Sequence, residues 1–206
     1  MIWYHYLTIA ALLVCLIGLS FHLIRLVRLG APVDYSRRRG EVTPAITYSF
    51  LGAMSPGKKE SAYLHLPTYA AGLLYHMGTS ASVILLFVYL LEVEIDGIVR
   101  WALMGLLAVS TVNGMAILVK RMAVKPLKAL SNPDDYISNF LVTAFQLFTV
   151  ARLGDAAFAP FYFLSASLLL LYMPIGKLKH VLYFFAARYH LGLFYGWRGI
   201  WPLRRF

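Results

Sequence analysis

HLPTYAAGLLYHMGTSASVILLFVYLL, residues 65–91, contains no Asp, Glu, Lys or Arg. At about 1.5 Å per residue it is long enough to cross the ~30 Å hydrocarbon core of a bilayer as a helix. Two histidines, His65 and His76, stand eleven residues apart in it. Eleven steps of about 100° return to within about 20° of the start, so both imidazoles fall on one face. Near the C-terminus His180 and His190 are ten residues apart. Two helices that each offer an imidazole can hold a haem between them.

The rest of the chain has the same character. Its residues are 60% apolar and only 14% charged, with a mean hydropathy of +0.69. A soluble domain carries about 25% charge, so the composition predicts an all-α integral membrane protein. The net charge of +10 does not indicate nucleic acid, because the basic residues lie between apolar runs, as topology signals do. The single cysteine, Cys15, excludes a disulfide framework and a thiolate metal site within the chain. The apolar N-terminal run is too long for a secretory signal and lacks its cleavage pattern, so it is expected to stay as a helix.

Five spans are expected, at about 2–27, 62–91, 98–120, 135–150 and 157–175, the last continuing helically toward 190. They form a single membrane domain over 1–206, with a loop at 29–61 and a basic tail at 191–206. Seventeen of the nineteen basic residues fall on one side of this layout; only Arg100 and Arg152 fall on the other. The positive-inside rule makes the basic side cytoplasmic, which puts the N-terminus outside and the C-terminus inside. Within the loop, the apolar patch 45–54 is too short to span and reads as interfacial, re-entrant or partner-docking.

An ionisable residue inside a span marks a functional site by default. His76 qualifies best, with Gly72 and Gly78 beside it to let a flat macrocycle approach. His180 follows Pro174, Gly176, Lys177 and Lys179 near the cytoplasmic end of the fifth span. If the fifth span continues helically past Pro174, His76 and His180 meet at a similar depth; they are the expected axial ligands of one b-type haem, and bis-imidazole ligation suits electron transfer. His65 and His190 are the candidates for a second haem, although ten residues turn a helix by about −80° and take His190 off the face of His180. His22, Arg25, Asn113, Arg121, Lys177 and Lys179 are candidate quinone or propionate contacts. Asn113 and Gln146 are residues that more often serve as helix–helix hydrogen-bonding groups. The CxxCH attachment motif is absent, so any haem is non-covalent. No nucleotide-binding or hydrolytic motif occurs.

The five-span layout, His76 in LLYHMG and His180 in LYMPIGKLKH resemble the gamma subunit of respiratory nitrate reductase. They equally resemble its relatives among the membrane cytochrome b subunits of heterodisulfide-reductase-like and sulfite-reduction-associated complexes. The resemblance implies haem b held by helices two and five, a menaquinone pool served at the membrane, and a cytoplasmic iron–sulfur partner subunit. It also implies an outer haem whose ligands would fall at Leu86 and Tyr162, neither of which can serve. The likeness is thus to a relative in which one haem, or two haems on the cytoplasmic half, suffice.

The chain is accordingly read as a membrane cytochrome b subunit moving electrons between menaquinone and that partner. It would be a non-catalytic or quinone-reactive part of a respiratory-chain oxidoreductase complex in the inner membrane of a prokaryote. Its partners are the iron–sulfur subunit, quinone and membrane lipid, with no nucleic acid. The alternative is a cofactor-free membrane anchor or small transporter subunit. Against transport, every Asp and Glu falls near a span end.

Overall fold

The computed structural model describes residues 2–30, 33–58 and 64–202. Among these there is no strand. The helices are α1 (Trp3–Arg28), α2 (Val42–Phe50), α3 (Leu66–Leu90), α4 (Gly97–Ala123), α5 (Lys125–Ala129), α6 (Pro133–Gly154), α7 (Ala159–Tyr172) and α8 (His180–Trp197). α1, α3, α4 and α6 are each long and apolar enough to cross a membrane. The segments Ala156–Tyr172 and Lys177–Trp197 make a fifth if they count as one broken span.

The chain divides into two compact units, Met1–Ser20 with Ala70–Leu178, and Phe21–Tyr69 with Lys179–Phe206. In the first, α6 is the best-specified helix. Asn132 accepts from the Asp135 amide and Asp135 accepts from the Asn132 amide, both at 3.1 Å, and Pro133 opens the first turn. This capping box satisfies two orphan donors reciprocally. At the other end Arg100 donates to the carbonyls of Leu153 and Gly154, acceptors that the helix itself leaves unpaired.

α1 packs on α7 through Thr8, whose hydroxyl meets Ser167 at 3.0 Å and the Phe163 carbonyl at 3.1 Å. Further along, a Cβ on Gly18 would lie 2.7 Å from that of Pro174, so the missing side chain permits the contact. The aromatic core centres on Tyr162, fully buried and stacked 5.6 Å from Phe145. Leu86 is buried in the same core.

The fifth span departs from expectation. The sequence reading carried a helix from 157 through 175 toward 190. Instead α7 stops at Tyr172, Lys177–Lys179 form a 3-10 turn, and a new helix starts at His180. Pro174 is the cause: it has no amide to give the preceding turn, and its ring collides with the carbonyl four residues back. The span boundaries also move, α6 running four residues past the expected 150 to Gly154.

The second unit joins segments that read as a separate loop and tail. Residues 42–50 are helical, and 191–197 belong to α8. α2 lies against α8 over Gly192 and Gly196, where a Cβ would meet the Ile46 Cα at 2.5 Å and the Ala45 Cβ at 2.7 Å. Two small residues four apart let the backbones approach. The crossing is fixed by hydrogen bonds from the Arg39 amide to the Trp197 carbonyl (2.8 Å) and from the Trp197 indole to the Ser36 carbonyl (2.7 Å). Asp34 pairs with Arg198 at 2.7 Å. Hydrogen bonds from Ser36, with the Arg198 guanidinium beside them, hold the Asp34 carboxyl below its ordinary range.

Candidate functional site

His76 lies on α3 in the first unit, and its side chain is exposed. Leu73, Met77, Ser80, Ile84 and Phe87 are exposed with it. Their spacing of three and four residues makes one stripe along the helix. An imidazole thus stands on an otherwise almost wholly apolar face. One turn earlier, a Cβ at Gly72 would meet nothing within 4 Å. Gly78 serves differently. A Cβ there would sit 2.1 Å from the Ser110 hydroxyl oxygen and 2.3 Å from the Ser110 Cβ. Gly72 therefore opens the face of His76, whereas Gly78 brings α3 against α4.

Behind His76 is a buried polar network that links α3, α4 and α6. Gln146 is fully buried and donates to Thr79 Oγ1 (2.7 Å) and to the Tyr75 carbonyl (3.2 Å), while its Oε1 accepts from Ser110 (2.7 Å). The Thr79 hydroxyl donates to the same Tyr75 carbonyl at 2.8 Å. The Tyr75 hydroxyl donates to the Asn139 carbonyl (3.1 Å) and meets Thr143 at 2.9 Å. Gln146 is thus the interhelical hydrogen-bonding residue, and it fixes the backbone immediately preceding His76. Tyr75 was not expected in this role. Its register one residue before His76, facing the polar positions of the fourth span, was the available signal.

At the start of α6, Asp135 binds Lys177 and lies 3.6 Å from Arg121 Nη1. Arg121 also donates to Ser131 at 3.0 Å. Two of the cations expected at a propionate or quinone are therefore engaged by one buried carboxylate. Asn113 is half-buried on α4.

The other candidates belong to the second unit. His180 is exposed at the first position of α8, with Lys179 as its N-cap residue. His190 is exposed further along α8, and His65 is exposed in the turn that precedes α3. His22 is half-buried, and its Nδ1 lies 3.3 Å from the Tyr183 hydroxyl. Nothing in the sequence pairs these two residues, which are 161 positions apart. Arg25 is exposed in the last turn of α1.

Four or five helices long and apolar enough to cross a membrane, with a buried polar network linking α3, α4 and α6, define a multi-pass α-helical membrane protein. No family model, no curated protein and no solved structure matches the chain. Among the described residues no three His, Cys, Asp or Glu side chains converge as a metal-binding group.

Proposed function

We propose that this chain is a membrane cytochrome b subunit that carries electrons between menaquinone and a cytoplasmic iron–sulfur partner. His76 and His180 are its axial ligands. A b-type haem so ligated supplies a one-electron carrier with no open iron position. The observation that carries the reading is the exposed His76 imidazole on the apolar stripe of α3, one turn from the open face of Gly72. An ionisable side chain at such a place marks function, and a flat macrocycle needs a helix face without a side chain in its way. His180 is proposed as the second ligand on its exposure and its place after Lys177 and Lys179 in the PIGKLKH segment, not on helical continuity, which breaks at Pro174.

The chain's own residues divide the remaining work. The Gln146–Thr79–Ser110 network holds the α3 backbone at the Tyr75 carbonyl, and so orients the helix turn that presents His76. The basic loops face the cytoplasm of a prokaryote in this reading, with the N-terminus outside.

The test is haem stoichiometry by pyridine haemochrome on the purified protein, for wild type, His76→Ala and His65→Ala. One haem b per chain, lost in H76A and kept in H65A, is the expected result. Two haems, one surviving each substitution, would assign His65 and His190 to a second site. A wild type that binds no haem would overturn the proposal.

A further inference from the structure

The charge of this protein is unevenly divided. The sequence of the second unit contains twelve basic and three acidic residues, that of the first seven and six. Nine of the ten net positive charges therefore belong to the unit built from residues 21–69 and 179–206.

Part of that charge is used internally. Arg198 pairs with Asp34, and Lys58 lies over the Tyr48 ring. Arg25, Arg28, Arg37 and Arg39 are different: all four are exposed, and none forms an ion pair among the described residues. The first two end α1, a helix of 26 residues. At about 1.5 Å per residue it is about 39 Å long, more than the ~30 Å hydrocarbon core, so its last turn reaches the headgroup layer. The other two sit on the strap 33–41. There the Arg39 amide is tied to Trp197, and Arg38 lies 5.8 Å over the Trp197 ring.

Large apolar side chains accompany the arginines. Phe184, Phe185 and Phe194 are exposed on α8, and Tyr35 on the strap is 94% exposed. Arginine, tryptophan and exposed phenylalanine together are the composition of a membrane–water interface. The reach of the last turn of α1 to the headgroup layer is what favours a lipid surface over a soluble acidic protein.

We propose that the second unit is a binding surface for anionic phospholipid, with Arg25, Arg28, Arg37 and Arg39 contacting the headgroup phosphates. The inference is independent of haem. The basic face fits phosphates electrostatically, and the α2–α8 crossing over Gly192 and Gly196 holds the strap that presents Arg37 and Arg39.

The experiment places the full chain in nanodiscs of equimolar phosphatidylglycerol and phosphatidylcholine at low salt, then reads the retained lipid by native mass spectrometry. Wild type is expected to enrich phosphatidylglycerol. One basic residue near an anionic surface contributes about fivefold to binding, so Arg37→Gln with Arg39→Gln is expected to lower the ratio by about tenfold or more. Arg37→Lys with Arg39→Lys should stay within about twofold of wild type. A wild-type ratio equal to that of the nanodisc, or an unchanged ratio in the glutamine pair, would overturn the proposal. So would a glutamine pair that loses binding to poly-glutamate while keeping its lipid ratio, which would assign the face to an acidic protein.

Discussion

Gly72 and Gly78 lie six residues apart on one helix, and alanine at each should act in opposite directions. At Gly78 the new methyl would sit 2.3 Å from the Ser110 Cβ and 2.1 Å from its hydroxyl oxygen. Carbon atoms pack at about 3.5–4.0 Å, so α3 and α4 must separate by about 1.2 Å at this point. Overpacking of that kind costs about 1–3 kcal/mol. Displacing Ser110 also strains its 2.7 Å bond to Gln146, worth about 0.6 kcal/mol between membrane helices. Alanine returns about 0.5–1 kcal/mol through helix propensity. The net expectation for Gly78→Ala is a loss of about 2 kcal/mol. Gly72→Ala meets nothing within 4 Å and gains the propensity alone, about 0.5–1 kcal/mol. The assay is unfolding in mixed micelles by SDS titration, followed by circular dichroism. The double variant G78A/S110G removes the colliding Cβ and should recover at least half of the loss. If both single variants unfold within about 0.5 kcal/mol of each other, the close approach of α3 and α4 at Ser110 is wrong.

Gln146→Leu removes three hydrogen bonds and should destabilise by about 2 kcal/mol in the same titration. Gly192→Ile places its side chain into the α2 backbone, 2.5 Å from the Ile46 Cα, and should release α2, raising the rate of limited proteolysis within 33–58 about tenfold or more. The Asp34 carboxyl titrates below its ordinary value of about 3.9. A lowered carboxylate contributes stability that is fully present above the unfolded value and is lost as pH falls through the folded one. The Asp34–Arg198 tie should therefore be unchanged from pH 7 to about 5 and open only below about 4. Carboxyl carbon shifts of Asp34 across that range would check this, and opening near pH 6 would refute it.

The apolar runs made α1, α3, α4 and α6 readable from sequence, because length without charge is what a bilayer demands. The start of α6 was also written there, in Asn132-Pro133-Asp134-Asp135, a cap followed by proline and acids. The fifth span failed at a residue that was itself the warning. Pro174 ends α7, and helical continuity across it had been assumed so that His180 would reach the depth of His76. The α2–α8 crossing was hidden for another reason. It joins positions about 150 apart, and single-sequence periodicity carries no information on such pairs. Gly192 and Gly196 did carry a small-residue spacing, but toward a partner that nothing specified. Which way a histidine faces depends on the neighbours its helix acquires. His76 therefore became exposed, and Gln146 central, only once α3, α4 and α6 were assembled.

The network around the Tyr75 carbonyl restricts how this sequence can change over time. A buried polar group left alone costs about 1–3 kcal/mol, whereas replacing all partners by apolar groups of similar shape is nearly neutral. Gln146, Ser110 and Thr79 are joined by bonds of 2.7 Å, so a single loss strands the others. The intermediate steps are unfavourable although both end points are stable. Descendants of this chain should consequently carry the three residues together or not at all, and an apolar replacement of Gln146 should arrive accompanied by small apolar residues at 79 and 110.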